Sequence, residues 1–279
     1  MTTRAHRPCT SPPVGRSRPA RGRHPRPRAL GRAHAHAASA SGLAASRIRA
    51  VRRHLRARRT SVGVLVLCVA LGTGIPAWTQ ARSSARYPVH PDDLTVARAA
   101  LAALDVRGPP PTDPYDRDAF GQAWADVDRN GCDTRNDVLR RDLTDVVTKP
   151  GTRDCLVLRG TLDDPYTGRP VAFVRGTASG DVQIDHVVAL GDAWAAGAAG
   201  WTDTARTAFA NDPANLLAVD GGTNQDKGAA DASQWLPPNT GYRCAYAVRQ
   251  VLVKSAYDLS VTRDERRALA HALGGCATT

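Results

Sequence analysis

The sequence predicts a disulfide-stapled α+β fold, and three observations carry that prediction. Apolar residues recur at helical spacing in "DDLTVARAALAAL" and in two segments near the C-terminus. Short apolar runs bounded by turn residues, among them "CLVLRGTLDD", "PVAFVRG" and "VQIDHVVAL", read as strands. Cys132, Cys155, Cys244 and Cys276 lack any C-x-x-C spacing, which favours two disulfides in an oxidising compartment over a zinc site.

The N-terminal segment is of another kind. Residues 1–61 hold 16 of the 38 basic residues and no Asp or Glu, so the formal charge of +12 is concentrated there. The remaining chain has 22 basic against 26 acidic residues, which excludes a protein that binds nucleic acid through its whole surface. Rich in Arg, Pro, Ser and Ala without a repeating apolar face, residues 1–61 are expected to be disordered. A polybasic tail touching acidic lipid, or an upstream start codon, accounts for their charge.

Val62 to Trp78 follows as an uncharged apolar run behind a basic flank. Together with the small residues at Thr79 and Ala81 it reads as a secretion signal over 62–81, with an uncleaved membrane anchor as the alternative. Residues 82–279 then form one domain, secreted in the first case and held outside the cytoplasm through residues 62–78 in the second.

Within that domain the first helix carries Leu94, Ala97, Leu101 and Leu104 and stops before Gly108 and its prolines. A polar stretch up to Leu143 mixes short helical turns with loop. A β-hairpin is expected around "DPYTG", then a strand over "VQIDHVVAL", short helices over "GDAWAAGAAGW" and "DTARTAFA", and a strand in "NLLAV". "DGGTNQDKG" is a turn opening into a helix. Cys244, Val248, Val251 and Leu252 make the stripe of one C-terminal helix, and Thr262 with Glu265 forms a capping box ahead of the last. Four cysteines allow three connectivities, of which sequence order favours Cys132–Cys155 and Cys244–Cys276.

A carboxylate and an imidazole, Asp185 and His186, stand side by side in an apolar strand, where burial is costly unless they are paired or bind a metal. Downstream come Asn215 before an apolar strand, and Asn224 and Lys227 at a helix start. Over residues 182–228 this order resembles the HNH, or ββα-metal, endonuclease family. "NGCDTRNDVL" and "WLPPNTGYRCAYAVRQVLVKSAYDL" are similar to a secreted branch common in actinobacteria. The resemblance implies a ββα-metal core with additional helices and a β-hairpin. It makes His186 the general base, which suits an imidazole titrating near neutrality.

Asp185 and Asn224 are the implied metal ligands, Asn224 standing where other members often have histidine. Two oxygen ligands suit Mg²⁺ or Mn²⁺ better than Zn²⁺. Asn215 is implied to orient the imidazole and Lys227 to meet the phosphate, while Arg135 offers an auxiliary phosphate contact. Arg135, Arg206, Lys227 and Arg243 together present a local basic patch. Asp185 and His186 face opposite sides of a regular strand, so both reach one ion only if the strand ends or bends there.

The implied reaction is metal-dependent hydrolysis of phosphodiester bonds in DNA, with RNA as a further substrate. Nucleic acid is the only partner expected, with no obligate protein partner evident. Plainer roles compete at each position: a core histidine at His186, a turn residue at Asn215, a helix cap at Asn224, a surface lysine at Lys227 and salt-bridged scaffolding around Arg135. The rival from another class is a non-catalytic extracellular binding module on the same scaffold.

Overall fold

A computed structural model of the chain describes residues 84–109, 112–176 and 178–276, together with positions 52–56, 58, 60–62 and 64. The chain divides into two units, residues 1–64 and 65–279. In the first, the described positions are helical and exposed, where the sequence predicts disorder up to residue 61. Most of the apolar segment 62–81 lies outside the described residues, and among those described no helix is long and apolar enough to cross a membrane.

The second unit is a mixed α+β assembly, as predicted. Helix α1 (Pro91–Ala103) begins with proline at its first position and buries Leu94, Ala97 and Leu101. They pack on Ala247, Val248 and Val251 of α6 (Arg243–Ala256) and on Leu269 and Leu273 of α7 (Arg263–Gly274). The Cys244–Cys276 disulfide ties the start of α6 to the end of α7, and Cys132–Cys155 closes the other loop. Sequence separations of 23 and 32 residues make each bridge worth about 3–4 kcal/mol in the chain-entropy picture.

Where the sequence predicts short helical turns mixed with loop and then a hairpin, there is one regular helix followed by three strands. Helix α2 (Thr134–Asp142) is capped by Asp133, whose carboxylate accepts the Asn136 amide at 2.8 Å. It runs straight into β1 (Leu143–Thr148), which pairs antiparallel with β2 (Val157–Asp163), itself antiparallel to β3 (Pro170–Val174). Buried Asn136 joins α2 to this sheet by accepting the Val157 amide at 3.0 Å and the Arg175 guanidinium at 2.6 Å. The turn before α2 has the D-x-D-x-N-G-x₅-D spacing of an EF-hand loop from Asp126 to Asp137. Its groups bond within the turn: Asp126 accepts the Gly131 amide at 2.9 Å, and the Asn130 side chain donates to Asp128 and Asp137.

A second sheet holds β4 (Val182–His186) antiparallel to β5 (Leu216–Asp220). Val182, Ile184, Leu216 and Ala218 pack on α2 and on Leu162 and Phe173 of the first sheet, while Val187, Leu217 and Val219 pack on Tyr166, Tyr242 and Tyr246. Between the strands lie α3 (Leu190–Ala196) and α4 (Asp203–Ala210), and after β5 the chain turns at once into α5 (Gly221–Lys227). No side chain fits at Gly221, because a Cβ there would collide with the Gly180 carbonyl. β4 stops at His186 instead of continuing to Leu190, since Val187 donates to the Asn215 carbonyl and Val188 donates to the Asn215 side chain.

Behind this core, five charged residues share one buried space. Lys254 reaches Asp192 at 2.7 Å and Glu265 at 2.6 Å, and Arg107 reaches Asp192 at 3.1 Å and Glu265 at 3.7 Å. Asp192, Asp231 and Glu265 place carboxylate oxygens within 4.8 Å of one another, with the Lys254 ammonium paired to two of the three. Three carboxylates against two cations leave one acid in excess. Burial, with Asp192 and Asp231 adding to it against the pull of Lys254, raises the Glu265 carboxyl from 4.5 to about 7.

A raised folded-state value means that protonated Glu265 supports the fold fully below about pH 4.5, and that support is lost as pH rises through about 7. Glu265→Gln keeps the neutral form at every pH. Thermal melts from pH 5 to 8 are therefore expected to show a downward trend in the parent that is weaker in the variant. Identical slopes for the two proteins would contradict the assignment.

Candidate active site at the end of β4

His186 is the last residue of β4 and is half-buried. Its Nε2 lies 2.8 Å from the Ala210 carbonyl at the end of α4. A carbonyl only accepts, so Nε2 carries the proton and Nδ1 keeps its lone pair. Burial, aided by the positive charges of Arg117 and Lys227, lowers the imidazole pKa from 6.5 to about 4 against the opposing pull of Ala210 and Asp185. The ring is neutral at physiological pH. Trp124 stacks on it with centroids 6.2 Å apart and planes 13° from parallel.

Asp185 points to the opposite side of the strand, as alternation requires. There Tyr166 donates to its Oδ2 at 2.5 Å and Lys227 donates to its Oδ1 at 2.9 Å. The same ammonium donates to the His186 carbonyl at 2.8 Å. Lys227 is thus buried at 2 % exposure, sealing α5 to the end of β4 instead of standing free at the surface. Desolvation by its burial raises the Tyr166 hydroxyl well above 10, and the Asp185 charge adds to it, so the phenol remains a donor.

The Asn215 side chain bonds to the backbone of Val188 and not to the imidazole. Fully buried, it accepts the Val188 amide at 2.8 Å through Oδ1 and donates to the Val188 carbonyl at 3.2 Å through Nδ2. This side-chain amide takes the place of the next strand residue, ends the ladder and fixes the backbone that leaves His186. Asn224, on α5, donates through Nδ2 to Gln183 at 2.9 Å, which leaves its amide oxygen for another partner.

Asp185, His186 and Asn224 line one cleft of about 350 Å³, along with Gln183, Tyr115 and Arg117. A carboxylate oxygen and an amide oxygen, from Asp185 and Asn224, suit a hard divalent ion, and both Asp185 oxygens are engaged by Tyr166 and Lys227 in this structure. The Lys227 ammonium on Asp185 reduces the negative charge such an ion would meet.

The cations of the expected basic patch are dispersed. Arg206 is buried and donates to the carbonyls of Ala119, Ala198 and Trp201, and Arg243 donates to the Pro237 carbonyl. Arg135 lies on α2 over the Phe173 ring and reaches the Ser179 carbonyl; it lines neither cavity at His186. The guanidinium that does line them is Arg117, an exposed residue that sequence reasoning passed over, as it did Trp124 and Tyr166. They sit 62 to 69 and 20 residues before His186 at no motif spacing, and only the density of polar and aromatic residues in "YDRDAFGQAW" marks the first two.

Removing Lys227 alone leaves Asp185 buried without its counter-charge, which is expected to cost about 3–5 kcal/mol. Lys227→Met should show that loss in urea unfolding, and adding Asp185→Asn should recover most of it. A single variant within about 0.5 kcal/mol of the parent would mean that the pair is not what holds α5 to the strand.

No solved structure matches the chain. An "Uncharacterized secreted protein" of Arthroderma benhamiae is 39% identical over 219 residues, covering 78% of this chain and 98% of that protein. Residues 133–272, which include β4, β5 and α5, match the family described as GmrSD restriction endonucleases, C-terminal domain. Half of the chain lies within that match, and the protein belongs to this family, whose description points to nuclease-type chemistry.

Proposed function

We infer that this chain is a secreted, metal-dependent endonuclease of the HNH type that hydrolyses phosphodiester bonds in DNA, with RNA as a further substrate. The observation that carries the reading is the His186 ring, whose Nε2 is committed to the Ala210 carbonyl while the cleft beside it collects Asp185, Asn224 and Arg117. His186 Nδ1 takes the proton from an attacking water, a task typically worth ~10²- to 10⁴-fold. Asn215 holds the backbone that presents the ring, and Lys227 holds both the His186 carbonyl and Asp185.

Asp185 and Asn224 are the residues that would hold a divalent ion, Mg²⁺ or Mn²⁺ ahead of Zn²⁺, which when bound supplies charge neutralisation at the phosphate. Arg117, which faces the same cleft, takes the phosphate-binding role that the sequence offered to Lys227 and Arg135. Export through residues 62–81 is supported by the two disulfides and by the relative described as secreted. The two strands and helix β4–β5–α5 support a ββα-metal core, and the narrower actinobacterial-type branch stays part of this proposal.

The rival, a non-catalytic binding module, draws on the engagement of both Asp185 oxygens by Tyr166 and Lys227. Plasmid cleavage in Mg²⁺, Mn²⁺ or EDTA separates the two. The expected outcome is metal-dependent cleavage that falls at least ~10²-fold in a folded His186→Ala variant. Absence of cleavage under every metal condition, or an undiminished His186→Ala variant, would leave the binding module as the better reading.

A further inference from the structure

His186 borders two cavities. Besides the cleft of Asp185 and Asn224, a smaller one of about 180 Å³ is walled by Phe120, Trp124, Leu190 and Ala210. Arg117 and His186 line both. We propose that the smaller cavity receives one unpaired nucleobase of the substrate, whose neighbouring phosphate lies at Arg117 and His186, so that single-stranded nucleic acid is the preferred substrate class. This rests on the phosphodiesterase reading of the same site.

The wall suits a flat heterocycle. The half-buried Trp124 indole lies nearly parallel to the imidazole, and aromatic faces of this kind bind bases of any sequence. Its backbone sits at φ 60°, a left-handed conformation that a bulky residue rarely adopts, so the surrounding fold holds the ring in this place against local preference. The strap is anchored on either side of Phe120. Arg206 donates to the Ala119 carbonyl at 2.9 Å, and Gly121, at φ 79°, packs so close to Thr207 that a Cβ would collide. These contacts hold the segment that carries Trp124 against α4.

The cavity's size narrows the occupant. It is smaller than the roughly 300 Å³ at which pockets for drug-sized ligands begin, and so takes a single ring system. Asn211 contributes to its wall and donates Nδ2 to the Thr207 carbonyl at 2.9 Å, which ties this side of the cavity to α4. A base in a duplex is stacked and paired, and reaches such a cavity only by leaving the helix, which costs free energy that a single strand does not lose.

Binding in EDTA, read by fluorescence anisotropy of labelled oligonucleotides, tests this without relying on cleavage. The parent is expected to bind a single strand more tightly than a duplex of the same length. Trp124→Ala should lose roughly 5- to 150-fold of the single-strand affinity with little change for the duplex, the range that loss of one stacked base implies. Trp124→Phe, which keeps an aromatic face, should retain most of it and guards against misfolding as the cause. Equal parent affinity for strand and duplex, or a folded Trp124→Ala variant with unchanged single-strand affinity, would overturn the proposal. If cleavage exists but Trp124 is neutral, only this inference falls; if single-strand binding depends on Trp124 but no metal supports cleavage, the base site stands and the hydrolytic reading falls.

Discussion

A lysine ammonium buried between the Asp185 carboxylate and the His186 carbonyl holds this site together. Burying an ammonium is unfavourable by several kcal/mol unless charge and hydrogen bonds compensate it, so Lys227 can occupy this position only if β4 ends where it does and α5 begins at once after β5. The requirement propagates outward. Gly221 must lack a side chain to let α5 start against Gly180, and Asn215 must end the ladder so that the His186 carbonyl meets Lys227. Tyr166 must lie beneath Asp185 to engage its second oxygen.

With the strand end fixed in this way, the two neighbouring residues are separated in chemistry as well as direction. Asp185 faces an aromatic layer and a cation, and its two oxygens are engaged by Tyr166 and Lys227. His186 faces α4, where the Ala210 carbonyl selects its tautomer and burial keeps it neutral. The Cys244–Cys276 disulfide and the ion network of Arg107 and Lys254 with Asp192 and Glu265 serve this centre indirectly, by holding α1, α6 and α7 as a support for the aromatic layer.

Much of this was legible in the sequence because it is local. The apolar runs "VQIDHVVAL" and "NLLAV" and the turn "DGGTNQDKG" predict two strands and a helix, and the capping box at Thr262 and Glu265 is present as spaced. The disulfide pairing favoured by order is the one found. What was not legible depends on distant partners. A lysine in a short polar helix reads as surface until the carboxylate 42 residues earlier is seen to meet it. Strand β1 alternates poorly between buried and exposed positions and follows a helix without a turn signal, so nothing in "LTDVVT" separates it from loop. Arg117 and Trp124 reach the site through a segment that Phe120, Gly121 and Arg206, distant in sequence from β4, help to position.

The central claim is chemical: the end of β4 presents a neutral imidazole with the proton on Nε2 and the lone pair on Nδ1. A long-range ¹H–¹⁵N correlation spectrum of the histidine side chains, assigned by comparison with a His186 variant, reads the tautomer directly. The expected result at neutral pH is a protonated Nε2 and an unprotonated Nδ1 for His186. A proton on Nδ1, or an imidazolium at that pH, would contradict the claim.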